Sequence, residues 1–206
     1  MPEDETSRSA AADTVAALNA ARVVGVLRAP GARRALALAE RAVTAGLKAV
    51  EVTFTVPDAG EVIAELTNSA PGVVVGAGTV LSAAQAEAAL GAGASFLVSP
   101  HFEQEVLEVA RANDAPYVPG ALTPSEVLRA SRAVAGLVKV FPVARLGGGK
   151  YVADLLAPYP DLQLMVTGGV SLTSAGEYFD AGAKVVGIGS LFDMEPDELR
   201  EGLSGL

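Results

Sequence analysis

The sequence predicts an α/β fold, a single-domain (β/α)₈ (TIM) barrel with an N-terminal capping helix, and three features carry that reading. Short β-branched runs recur roughly every 20 to 30 residues, each followed by an alanine- and leucine-rich amphipathic stretch. Several of these runs are apolar on both faces, as parallel strands covered by helices must be, and no stretch reads as an antiparallel hairpin. At 206 residues the chain is near the lower size for a complete eightfold barrel, so one domain over 1–206 is expected. An open doubly wound sheet would usually have fewer strands and a GxGxxG first turn, whereas the first turn here is LRAPGARRA.

Taken in order, residues 1–8 are expected to form a frayed tail and 10–21 a helix across the barrel bottom. Strands follow at VVGVL (23–27), AVEVTF (49–54), VVVGA (73–77), SFLVS (95–99), YV (117–118), LVKVF (137–141), LQLMV (162–166) and KVVGIG (184–189). Helices between them are expected to start at cap residues Asp58, Ser82, His101, Thr123 with Pro124 behind it, and Ser171. Gly46, Gly93, Gly136 and Gly182 stand where left-handed caps would close helices before the next strand.

A net charge of −9 without any Lys/Arg cluster speaks against nucleic acid or an anionic membrane as partner. The absence of cysteine rules out disulfides, zinc–cysteinate sites and thiol chemistry. No acidic or histidine cluster has metal-ligand spacing, so neither a metal nor another cofactor is expected. The first 20 residues have no basic, then apolar, signal pattern, and no run of 18 uninterrupted apolar residues occurs. A cytoplasmic protein acting on a small molecule is the expectation.

In such a barrel the active site lies at the carboxyl ends of the strands, so polar residues late in apolar strands are the candidates. Of four lysines, Lys48 and Lys184 precede their strands and Lys150 opens a helix after Gly147, Gly148 and Gly149. Lys139 instead sits among Leu137, Val138, Val140 and Phe141, where desolvation favours a neutral, nucleophilic amine. A lysine snorkelling from the strand end, or paired with a structural acid, stays open. Glu51 also lies inside an apolar strand, and period-two alternation puts it on one face with Thr53 and Thr55. Inside the barrel it would be either a structural partner of Lys139 or its proton shuttle.

Arg28 ends the first strand, where its fork would grip a carboxylate or simply start a surface loop. GAGT (76–79) and SPH (99–101) end the third and fourth strands with small or hydroxyl-bearing residues that suit either a ligand or a tight turn. His101, the sole histidine, is a helix-start residue or an acid/base. Glycine turns at Thr167-Gly168-Gly169-Val170 and Gly187-Ile188-Gly189-Ser190 follow the last two strands, where barrel phosphate sites are commonly built.

These residues resemble the 2-keto-3-deoxy-6-phosphogluconate (KDPG) and 4-hydroxy-2-oxoglutarate (KHG) aldolases. EVTFTVPDA (51–59), GAGTV (76–80), VSPHF (98–102), PGALTPSE (119–126), KVFP (139–142) and TGGVS (167–171) carry the resemblance from about Val23 to Phe192. It implies a metal-free class I aldolase, usually a homotrimer, with Lys139 as Schiff-base lysine and Glu51 as proton shuttle. By the same likeness Arg28 and Thr79 hold the pyruvate carboxylate, Pro100 and Phe141 shape the pocket, and Thr167 meets substrate hydroxyls. Gly168, Gly169, Gly189 and Ser190 are implied as the phosphate site. Two positions depart from the pattern: Thr55 stands where some members carry arginine, and Val143-Ala144 where many have alanine and then glutamate. The rivals are a phosphate-binding barrel isomerase or epimerase and a non-catalytic oligomeric scaffold.

Overall fold

The computed structural model describes residues 9–206, so the tail expected at 1–8 lies outside the described residues. Helix α1 (Ala10–Ala21) starts at Ser9, whose side chain accepts the Ala12 N–H, as an N-cap serine does. Strand and helix then alternate: β1 (Val23–Leu27), α2 (Ala32–Thr44), β2 (Ala49–Thr53), α3 (Ala59–Ser69), β3 (Val74–Gly78), α4 (Ala83–Gly91), β4 (Leu97–Val98) and α5 (Gln104–Ala112). After β5 (Tyr117–Val118) and β6 (Gly120–Ala121) come α6 (Pro124–Ala133), β7 (Val138–Val140), α7 (Gly149–Leu156), β8 (Leu164–Thr167), α8 (Leu172–Asp180), β9 (Val185–Ile188) and α9 (Pro196–Ser204).

All pairings are parallel, in the order β5-β4-β3-β2-β1-β9-β8-β7-β6. The two ends of that order are joined through one residue, Pro119. Proline has no N–H to give the ladder, so β5 ends at Val118, the bound expected, and the stave resumes beyond Pro119 as β6, which was not expected. Its carbonyl still accepts the Lys139 N–H at 2.9 Å, which carries the ring across the break. The sheet therefore closes nearly completely, and the nine assigned strands correspond to eight staves.

Inward positions alternate with outward ones along each stave. Leu18 of α1 plugs the bottom against Val24, Ala49, Phe96, Val98, Val118, Leu137, Met165 and Val185, all buried. Large and small residues face each other there: a Cβ added at Gly76 would lie 2.3 Å from the Phe96 ring. The helices cover the outside through a second apolar layer, including Leu38, Ile63, Val106, Val127 and Leu155.

Caps at Ser82, Thr123 and Ser171 are as expected, and Thr123 and Glu126 form a reciprocal capping box behind Pro124. One expected cap is not made and one expected start is displaced. Asp58 precedes α3 but is itself left-handed, with φ 57°, and its side chain caps nothing. The helix expected after His101 begins only at Gln104, because the Tyr117 hydroxyl accepts the Glu103 N–H and donates to the His101 carbonyl, holding that stretch as a loop. Gly46, Gly93 and Gly182 adopt positive φ, but Gly136 does not. It packs under α1, where a Cβ would meet Val15 at 3.1 Å.

Phe96 fills the floor on which the polar upper half rests. Phe96→Ala is expected to cost about 3–5 kcal/mol, the usual loss for an emptied aromatic core site, as read from urea unfolding.

Candidate active site

Five polar or charged residues are buried among the described residues: Glu51 and Thr53 of β2, Ser99 after β4, Lys139 of β7 and Thr167 of β8. Thr53 and Thr167 end their strands and Ser99 follows β4, while Glu51 and Lys139 stand at the middle of theirs. Two of them have an evident structural task. Thr53 Oγ1 donates to the Leu27 carbonyl at 2.9 Å, and Ser99 Oγ donates to the Val80 carbonyl at 2.6 Å. Neither Glu51 carboxylate oxygen nor Thr167 Oγ1 has a hydrogen-bond partner among the described residues. Buried polar atoms are nearly always paired, so these orphans mark a place built for something other than stability.

Lys139 Nζ lies 3.6 Å from Glu51 Oε1, with side chains 6% and 0% exposed. That is ion-pair range without being a hydrogen bond. Strand register sets the approach: Glu51 pairs with Val26 on one side and Gly76 on the other, while Lys139 lies between Gly120 and Met165. The two side chains meet across the barrel interior. Lys139 Nζ also stands 5.4 Å from the centre of the Phe141 ring, which walls off one side.

Above Lys139 opens a cavity of about 250 Å³ lined by Val26, Arg28, Lys139, Phe141, Thr167, Gly168, Gly169, Val170, Gly187, Gly189 and Ser190. It brings together eight of the sequence-predicted residues, with Glu51 reached through Lys139. Pro100 instead lines an adjoining cavity of about 310 Å³ on the other side of Phe141, with His101 and Arg129. Thr79 lines neither cavity and is half-buried at the end of β3. Its φ of 55° is left-handed, a strained geometry for a β-branched residue. Nothing in the sequence signals that strain. A cavity of about 270 Å³ also opens at the opposite end, between α1, α5 and α6, but no orphaned polar atom lies among its lining residues.

The glycine turns divide into two kinds. Gly168 and Gly169 have φ of 89° and 84°, and a Cβ on them would strike Pro142 and Ala144 at 2.8 and 2.6 Å. Their smallness is already required by the loop after β7. At Gly189 the backbone suits any residue (φ −86°, ψ −38°), and an added Cβ would have only the Val26 carbonyl at 3.5 Å and Arg28 Nη1 at 4.0 Å around it. The space there is open and faces a guanidinium, which fits an anion.

His101, 55% exposed and 2.6 Å from Glu103, takes no place beside Lys139. Thr55 supplies no charge to the mouth: because Thr53 spends its single proton on Leu27, the 2.8 Å contact between the two threonines must be donated by Thr55. Tyr117, which pins the loop after β4, has its pKa raised by burial and so stays a hydrogen-bond donor. No group of three His, Asp or Glu side chains suited to a metal occurs among the described residues.

The profile described as KDPG and KHG aldolase matches residues 15–201. The chain belongs to that family. A 2-dehydro-3-deoxy-phosphogluconate aldolase of Treponema pallidum is 36% identical over 162 residues, covering 79% of this chain and 77% of that protein. The KDPG aldolase of Zymomonas mobilis ZM4, solved with 3-phosphoglycerate, superposes with a TM-score of 0.81 at 30% identity, covering 93% and 94% of the two chains. A KDPG aldolase from Legionella pneumophila, solved with pyruvate captured as a covalent carbinolamine, gives 0.81 at 26% identity, over 93% and 97%.

Removing one member of the buried pair should leave the other unpaired and lower stability. Lys139→Met should cost about 3 kcal/mol in urea unfolding at neutral pH, because an unpaired carboxylate is left in the barrel, while Lys139→Met with Glu51→Gln should recover most of it. A double variant no more stable than Lys139→Met would show that the two side chains do not interact.

Proposed function

We propose that this protein is a class I aldolase that cleaves KDPG to pyruvate and glyceraldehyde 3-phosphate through a Schiff base on Lys139. By the same chemistry it splits 4-hydroxy-2-oxoglutarate to pyruvate and glyoxylate. The observation that carries the reading is a buried lysine amine whose ion-pair partner among the described residues is an otherwise unpartnered carboxylate, at the floor of a cavity bearing Arg28 and open backbone turns.

Lys139 Nζ attacks the C2 ketone, and the carbinolamine loses water to an iminium. Glu51 takes the C4 hydroxyl proton, the C3–C4 bond breaks, and its electron pair flows into the iminium to leave an enamine of pyruvate. Protonation at C3 and hydrolysis return Lys139. By the family likeness Arg28 and Thr79 hold the pyruvate carboxylate and Pro100 and Phe141 shape the pocket; of these four, Arg28 and Phe141 line the cavity above Lys139, and Thr167 Oγ1 is free for a substrate hydroxyl. Gly168, Gly169, Gly189 and Ser190 receive the phosphate, the room beside Gly189 favouring this. We also take the protein to be a homotrimer, as its resemblance implies, and to work in the cytoplasm, as its sequence suggests. Among the described residues no helix is long and apolar enough to cross a membrane.

Incubation with pyruvate and borohydride should add one reduced pyruvyl group per chain, located by peptide mapping on Lys139. Lys139→Arg should lose both trapping and turnover, since a guanidinium stays charged. An adduct on Lys48, Lys150 or Lys184 would overturn the mechanism.

Substitution at the anion end should separate the substrates. Ser190→Asp should raise KM for KDPG far more than for 4-hydroxy-2-oxoglutarate, which has no phosphate to repel. Equal losses on both would remove the phosphate from this end of the cavity.

A further inference from the structure

The carboxylate of Glu51 is held in place without a hydrogen bond. Both oxygens are buried and unpartnered, and the nearest cation, Lys139 Nζ, stands at 3.6 Å, beyond hydrogen-bond range. A glutamate side chain has three rotatable bonds, so its carboxylate needs some other restraint to stay beside the lysine. The room it occupies is made by the missing side chain of one residue. A Cβ added at Gly78 would lie 2.0 Å from Glu51 Oε1, 2.4 Å from its Cγ and 2.5 Å from its Cδ. The space that any other residue at position 78 would fill is the space the Glu51 side chain occupies.

Gly78 is not needed there for its backbone. It is the last residue of β3, paired in register with Thr53, and its φ lies outside the left-handed region. Its carbonyl accepts the Phe54 N–H at 2.7 Å, a bond that any residue could make. An alanine would suit the strand in every respect but one. Loop closure and turn geometry, the usual reasons for a glycine, give no account of this one.

We infer that Gly78 is a positioning residue for the reaction: its missing side chain is the slot that aims the Glu51 carboxylate at the Lys139 amine. The inference rests on Glu51 serving as the acid/base of the aldol cleavage. It adds a residue that touches neither substrate nor amine yet sets where the proton-transfer group stands. A misplacement of about 1 Å is enough to cost on the order of 10²-fold in rate.

The test places Gly78→Ala in the parent and in a Glu51→Ala background, with thermal unfolding, kcat and KM for KDPG cleavage read on all four proteins. In the parent, Gly78→Ala should lower kcat by about 10²-fold with KM little changed, and should lower Tm, because the displaced glutamate must find another rotamer. In the Glu51→Ala background the slot is empty, so the same substitution should change neither kcat nor Tm. Equal losses in both backgrounds, or no loss in the parent, would overturn the inference. If Gly78→Ala alone does not fold, a folded double variant supports the slot and an unfolded one overturns it. Full turnover by Glu51→Ala alone would instead remove the acid/base role of Glu51 and the inference with it, and borohydride trapping at Lys139 would still report separately on the imine.

Discussion

Lys139 Nζ and the carboxyl group of Glu51 face each other at 3.6 Å inside a ring of strands that shields both from water, and the upper barrel is arranged around that pair. Each charge would be costly to bury alone. Together they are tolerable, but the absence of hydrogen bonds on Glu51 leaves the arrangement short of what a structural ion pair needs. A carboxylate with unpaired oxygens facing an amine at 3.6 Å leaves both groups available to a bound substrate. Stability is supplied elsewhere, by the apolar floor beneath the pair and the helical layer outside it.

The interior solves a packing problem by setting absent side chains beside large ones. Phe96 fills the void of Gly76, Glu51 that of Gly78, and Thr167 and Met165 that of Gly187. A ring of small circumference cannot hold a full-sized inward side chain on every stave. The glycines on β3 and β9 therefore have as much to do with which polar groups fit inside as with turns. The same arithmetic distinguishes the two loops at the mouth. Gly168 and Gly169 are crowded by the segment after β7, whereas Gly189 borders open space beside Arg28.

Much of this was legible in the chain. Lys139, Glu51 and Arg28 stood out because a charged residue inside or at the end of an apolar strand of a parallel barrel points to its carboxyl end. The short strand at 117–118 lies where it was expected, whereas β6 beyond Pro119 was not foreseen, and the missing N–H of the proline separates the two. Where the expectations failed, the cause was local and tertiary. His101 does not start a helix because the Tyr117 hydroxyl, from the next strand, claims the backbone around it. Gly136 closes no left-handed cap because α1, distant in sequence, packs over it.

By itself the sequence determined the alternation of strands and helices, the face of β2 on which Glu51 lies, and the identity of the charged residues at strand ends, since these depend on periodicity along one element. The tertiary structure alone decided that Lys139 and Glu51 meet and that Thr53 and Ser99 are occupied by carbonyls while Thr167 is free. It also placed Thr79 in a left-handed conformation and put Gly78 against Glu51. Those features depend on register and on closure of the ring, which bring residues from different staves within contact distance, and no pattern within a single stave encodes a distance across the barrel.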